Sequence, residues 1–378
     1  MEQVVSSPRV ARRWPGAVAA LLILLAGLSL IAWSFRLPYY AFSGGPVSDV
    51  VSSVNVSGAD TFSTDGSLLM LTVSSQEVNP FEALVAGFDP DVDLVARDAV
   101  RPPDESDEDF NARNRASMDL SKETAITLAL TRLGYDVTSE SDGVLVASVV
   151  EGTPAFDVLL ANDVIVAVNG VPVELPDDIG SVLEGMQAGD QIEIELTRAG
   201  ERMTVTVELA ERDDDPATPM IGISAAASNP RFEYPFPIEI DAGLVGGPSA
   251  GMMYALGVLE VLTADDLTGG HIVAGTGTID SNGRVGAIGG VRQKVVAAEA
   301  AGAEVMLVPA SNYEEALTAR RERMELVPVA TLDEALAALA AISPPRQRGE
   351  GTTSEASGEG GGPTTWEQVV RGAGREVS

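Results

Sequence analysis

Ser249 stands between Gly246-Gly247-Pro248 and Ala250-Gly251, directly ahead of an apolar stretch that runs to Leu262. A serine at the first turn of a helix has free backbone N–H groups beside it that can hold a developing oxyanion. Small neighbours such as Gly247 and Ala250 let a substrate backbone come close. Taken alone, the position is also that of an ordinary helix cap. Lysine occurs only at Lys122 and Lys294, and arginine supplies the other 22 of the 24 basic side chains. A guanidinium stays charged under all working conditions, whereas an amine can lose its proton when desolvated. The neighbours of Lys294 at helical spacing are Val291, Ala298 and Ala301, so its amine leaves from an apolar side and its pKa should fall. That suits a general base for a serine hydroxyl; a lysine that snorkels or pairs with an acid is the plainer alternative. His271 is the only histidine and the sole base available to a Ser/His/Asp triad. It follows Gly269-Gly270, where a surface turn is the simpler role. No serine stands three residues before either lysine, which leaves a serine and a lysine from distant segments.

The elements that must position them are legible in outline. Strand-like Ile238 to Ile240 leads into Gly243 to Pro248 and then into a segment, Ser249 to Leu262, that is apolar nearly all round, as a buried helix is. Next come a strand at Ile272 to Ala274, a hairpin at Ser281-Asn282-Gly283, a helix from Val291 to Ala301 stopped by Gly302, a strand at Val305 to Val308 and a last helix at Leu332 to Leu339. Alternating strands and helices predict an α/β domain over 220–343.

Upstream, 44–120 reads as a small region with short strands, a helix from about Phe81, and an exposed acidic connector at Arg101 to Asp109. A helix is expected over Ser121 to Leu133, with Ser121 as cap and Gly134 as stop. Within a domain bounded at 121–212, Gly143 to Leu209 changes character: β-type runs lie at Val144 to Val150, Val164 to Val168, Ile192 to Leu196 and Met203 to Leu209. Beyond Ser343 the composition turns to Gly, Ser, Glu and Pro, and a disordered tail is expected over 344–378.

At the amino terminus, Ala17 to Phe35 is a run of 19 residues without charge, preceded by Arg9, Arg12 and Arg13. A span of hydrocarbon takes about 20 apolar residues, so one transmembrane helix is expected over 17–35. The basic segment 1–16 would lie in the cytoplasm and the rest of the chain outside it. A cleaved secretory signal, with Ala41-Phe42-Ser43 as its site, is the alternative. A formal charge of -32 argues against nucleic acid as a partner. With no cysteine and one histidine, disulfides, thiol catalysis and Cys/His zinc sites are excluded, and no cofactor or metal site is read.

Two resemblances follow from these motifs. Glu151-Gly152-Thr153-Pro154-Ala155, Ala161-Asn162-Asp163-Val164-Ile165 and Val168-Asn169-Gly170 resemble a PDZ domain of the bacterial arrangement. Asn162 stands where glycine is usual, and asparagine is the next best residue for a left-handed backbone. The resemblance implies a groove that captures peptide ends by strand addition. It would lie between a strand at about Leu133 to Val137 and a helix at about Pro176 to Gly185. Leu133-Gly134-Tyr135 would be its carboxylate loop, although the nearby acids Asp136, Glu140 and Asp142 disfavour a carboxylate.

Residues from about Ile238 to Leu339 resemble the proteolytic domain of Lon protease, through Gly246-Gly247-Pro248-Ser249-Ala250-Gly251, Ala274-Gly275-Thr276-Gly277-Thr278-Ile279, Gly283-Arg284-Val285 and Ile288-Gly289-Gly290-Val291-Arg292-Gln293-Lys294. The family's Ser/Lys dyad maps onto Ser249 and Lys294, and its threonine beside the lysine onto Thr276. Lon proteins usually carry Asp at the position of Gly247 and histidines at those of Pro237 and Glu239. No Gly-x4-Gly-Lys-Ser/Thr phosphate loop occurs in the chain. Together these features resemble Lon-like, PDZ-containing proteases that work without nucleotide. That implies protein substrates and peptide ends as partners, membrane attachment, and assembly of identical copies, a hexameric ring being common among Lon domains. A peptide-binding scaffold with an inactive Lon-like domain and an esterase using the same dyad are the rivals.

Overall fold

A computed structural model describes residues 14–101, 105–211, 219–243, 245–319, 323–342 and 346–347. The chain divides into two compact units, Met1–Gly134 with Phe236–Ser378, and Tyr135–Pro235. The second therefore interrupts the first along the sequence.

The front of the first unit contains α1 (Trp14–Ser34), β1 (Tyr39–Asp49), β2 (Ser67–Glu77), α2 (Pro80–Ala86), β3 (Asp93–Ala96) and α3 (Asp107–Arg132). Helix α2 opens on a reciprocal cap. The Asn79 side chain accepts from Phe81 N and Glu82 N, while Glu82 Oε2 accepts from Asn79 N. Helix α3 begins at Asp107, capped by Ser106, whose hydroxyl accepts from Asp109 N at 3.1 Å. The expected start at Ser121 is thus corrected: Ser121 lies in mid-helix, and the polar first half of α3 carries no apolar rhythm to announce it. The connector expected over Arg101 to Asp109 is also shorter than supposed, and Arg101 is buried with its guanidinium over the Phe110 ring.

The second unit contains β4 (Val144–Val149), β5 (Val164–Val168), α4 (Pro176–Leu183), β6 (Gln191–Arg198), β7 (Glu201–Glu208) and β8 (Ile223–Ala227). Its sheet runs β7-β6-β5-β4-β8 over a core of Val144, Val146, Ile165, Ile192, Ile194 and Leu196. Asn162 takes a left-handed φ of 72°, the conformation in which asparagine substitutes for glycine at least cost. Next to it the buried Asp163 carboxylate is forked by Arg198, at 2.7 Å from Nε and 2.6 Å from Nη2.

After the second unit the chain continues with β9 (Ile238–Ile240), α5 (Gly251–Leu262), β10 (Ile272–Gly275), β11 (Thr278–Ile279), α6 (Val291–Ala300), β12 (Val305–Pro309), β13 (Glu325–Val329) and α7 (Leu332–Ile342). The sheet order is β13-β12-β10-β2-β1-β3. Strand β10 lies parallel to both neighbours, Ile272 opposite Ser67 on β2 and Val273 opposite Val305 on β12. Strands from 39–96, read from the sequence as a region of their own, therefore supply half the sheet that carries the C-terminal strands. Strand β12 is buried at every position, and α5 is buried along its whole length. Its apolar circumference reflects that placement.

The membrane-spanning helix expected over 17–35 is not supported by the described residues. Trp14–Ser34 is helical, but its described side chains are those of 18–27, 29–30 and 32–34. Among the described residues no helix is long and apolar enough to cross a membrane. The basic segment 1–16 lies outside the described residues but for the start of α1. Apart from Arg346–Gln347, the tail expected over 344–378 lies outside them too.

Candidate active site

The turn ahead of α5 is held from two sides. Gly247 adopts φ 87°, a left-handed backbone that glycine takes without steric cost. Its N–H donates to the Asn114 carbonyl on α3 at 2.9 Å. The Ser249 carbonyl accepts from Gly277 N at 2.8 Å and from Thr276 Oγ1 at 3.0 Å, and Met252 N donates back to the Gly277 carbonyl at 3.1 Å. Ala250 is buried at the start of α5, and its carbonyl accepts from Tyr254 N at 2.9 Å.

Lys294 reaches this turn from the first turn of α6. Gly290, at φ 66°, starts the helix, and the Asn312 side chain clamps both backbone groups of Ile288 just before it. Asp93 on β3 accepts from Arg292 Nη1 at 2.5 Å and from Gln293 Nε2 at 2.7 Å, so α6 is tied to the front of the chain beside its lysine. The lysine side chain is only 2% exposed. Its Nζ lies 2.8 Å from Ser249 Oγ and 2.8 Å from Thr276 Oγ1. Burial disfavours the ammonium and pulls the Lys294 pKa down to about 8. An open cleft of about 430 Å³, lined by Pro46, Thr72, Val73 and Val245, meets Ser249 and Lys294.

The structure thus brings together Ser249, Lys294, Thr276, Gly247 and Ala250. Lys122 stands apart, paired with Asp119 at 2.8 Å, and His271 Nδ1 is paired with Glu304 Oε2 at 2.9 Å. Among the described residues no group of three or more His, Asp and Glu side chains is placed to hold a metal ion.

Residues 238–341 match the family model of the Lon protease (S16) C-terminal proteolytic domain, and residues 131–209 match that of the PDZ domain. The chain carries a Lon-type proteolytic domain and a PDZ domain. Lon protease 2 of Herpetosiphon aurantiacus is 33% identical over 222 residues, 54% of this chain and 25% of its own. Lon protease of Clostridioides difficile is 40% identical over 104 residues, 26% of this chain and 13% of its own. The chain spans a quarter or less of the length of these relatives. The crystal structure of the PDZ domain of the SdrC-like protein from Listeria monocytogenes is 30% identical, covering 22% of this chain and 87% of that one, with a TM-score of 0.21. The matches support a serine-type peptidase.

In the PDZ unit the expected peptide-binding strand is displaced. Leu133 caps the end of α3, Gly134 turns at φ 83°, and the strand that follows, Thr138–Glu140, pairs with Arg231–Glu233. The edge strand in contact with α4 is instead β8, which begins just after Ile221-Gly222, with Gly222 at φ 88°. Leu133, Gly134 and Tyr135 therefore do not form the loop that leads into that strand. A glycine between isoleucines directly ahead of a strand was the sequence signal for this turn. The front half of the Lon unit gave no comparable signal: Asn114, Asp93 and Val73 serve the site from segments without a motif.

Proposed function

We propose that this chain is a serine endopeptidase in which Lys294 is the general base for Ser249. The observation that carries the reading is the 2.8 Å approach of a buried lysine amine to a serine hydroxyl at a helix start. With the amine neutral, the Ser249 hydroxyl donates to Nζ. As Oγ attacks the scissile carbonyl carbon, Lys294 takes that proton, and it returns the proton to the leaving nitrogen as the C–N bond breaks. Water then attacks the resulting ester, Lys294 again accepting the proton, and Ser249 is restored. The Thr276 hydroxyl donates to the Ser249 carbonyl and accepts from Nζ, which fixes where the amine lone pair points. Backbone N–H groups of the turn are the donors for the oxyanion.

The groove between β8 and α4 supports capture of an extended peptide end by strand addition, and so delivery of unfolded or loosely folded protein to the cleft. Action without nucleotide rests on the resemblance to Lon-like, PDZ-containing proteases. The uncharged run 17–35 with arginines ahead of it supports, on sequence alone, a tethered body outside the cytoplasm. Assembly into a ring rests on the resemblance to Lon domains.

The test is cleavage of labelled, unfolded casein by the full chain without nucleotide. Ser249→Ala and Lys294→Ala are each expected to lose it by 10³-fold or more, with circular dichroism unchanged. A wild-type chain that binds peptide ends but cuts nothing would point to the scaffold reading, and cleavage of esters alone to the esterase.

A further inference from the structure

Ser121 is a buried serine in the middle of α3, where serine is a mediocre helix former because its hydroxyl competes for backbone groups. Its hydroxyl donates instead to the Pro248 carbonyl at 3.2 Å, across 127 residues of sequence. The same carbonyl accepts from Gly251 N at 3.2 Å. The approach is close enough to exclude a side chain at position 251, since a Cβ there would meet Ser121 Oγ at 2.6 Å. The Pro248 carbonyl belongs to the peptide group whose N–H is that of Ser249. In a trans, planar peptide the N–H points opposite to the C=O. Drawing the carbonyl toward α3 therefore turns the Ser249 N–H away from α3. One residue on, the next peptide group is fixed in the same manner by Thr276 Oγ1 and Gly277 N on the Ser249 carbonyl.

We propose that Ser121 is a positioning residue: its hydroxyl, hydrogen-bonded to the Pro248 carbonyl, sets the plane of the Pro248–Ser249 peptide and thereby aims the Ser249 N–H as an oxyanion donor. The inference rests on the serine-peptidase reading above. It separates two tasks within the site, since Thr276 touches the amine whereas Ser121 touches only the peptide plane. Loss of Ser121 should impair stabilisation of the tetrahedral intermediate and leave both substrate binding and the titration of the base alone.

The experiment is steady-state kinetics of the full chain on a fluorogenic peptide, together with binding of a peptide boronate, whose tetrahedral adduct on Ser249 places an oxygen in the oxyanion position. Ser121→Ala is expected to lower kcat about tenfold and weaken the boronate by a similar factor, with KM and the pH midpoint of kcat/KM unchanged. Ser121→Cys, which fills the space with a poor donor, is the second variant should the alanine chain melt early, and the same pattern is expected of it. A folded variant with wild-type kcat and boronate affinity overturns the proposal. So does a loss of rate accompanied by a shifted pH midpoint, which would trace the effect to Lys294. If the wild-type chain itself cleaves nothing, the peptidase reading falls; if it cleaves and both variants match it, only the role of Ser121 falls.

Discussion

Lys294 is an amine held where its charged form is disfavoured, and that fact has a signed consequence. With a pKa of about 8, about a tenth of the chains carry the neutral base at pH 7 and about nine tenths at pH 9. The value of kcat/KM should therefore rise about tenfold between those pH values and level off above, which a pH-rate profile on a non-ionising substrate checks. Stability moves the same way. The unfolded lysine, with its ordinary value of 10.5, binds more protons than the folded one between about 8 and 10.5, so burying this amine costs stability in full below about 8 and that cost is relieved as pH rises through the window. Thr276→Val keeps the volume and removes the hydroxyl from the amine. Activity is expected to fall about ten- to a hundredfold, with the Ser249 carbonyl still held by Gly277 N. At this scale the sequence was informative, because a rare lysine in an arginine-rich chain and a serine among small residues are chemically conspicuous. Ser121 was misread as a cap, since a serine ahead of an apolar rhythm looks like one, and the true cap at Ser106 precedes a polar turn.

At the level of elements, the site depends on how closely the front strands approach α6. A Cβ at Gly290 would meet Val73 Cγ2 at 2.7 Å, on a backbone already at φ 66°. Gly290→Ala is expected to destabilise by about 1–3 kcal/mol and to shift the start of the lysine helix, lowering activity more than stability alone explains. Gly302→Ala is the control. It has φ 82° with open space around it, so strain of about 1 kcal/mol and unchanged kcat are expected, read by thermal melts and steady-state rates. Helices and strands around Ser249 and Lys294 were legible because their caps and stops are local. The PDZ strand was not, since Leu133-Gly134-Tyr135 and Ile221-Gly222-Ile223 are equally plausible turns until one of them is seen to lead into the strand beside α4.

For the molecule as a whole, the Lon unit is discontinuous. The match to the Lon proteolytic domain covers 238–341, yet β10 needs β2 as its parallel neighbour. Parallel pairing leaves no hairpin signature, and its partners lie some 200 residues apart, which is why the front half passed for a separate region. A fragment of 236–342 is thus expected to stay unfolded by amide NMR. Thr138 sits opposite Glu233 in an antiparallel pair, so the points where the PDZ unit leaves and rejoins are neighbours, as inserted domains require. Replacing Tyr135–Pro235 by a short Gly/Ser linker should leave the Lon unit folded.

The parallel pairing of β2 with β10 also sets a schedule for the nascent chain. While the ribosome is still making the PDZ unit, β2 has its antiparallel partner β1 but an open edge on the other side, a surface prone to wrong pairing. That edge closes only when Ile272–Gly275 has emerged, and Lys294 follows later still. The Ser249–Lys294 pair therefore cannot form on a half-made chain, and its assembly is non-local and slow.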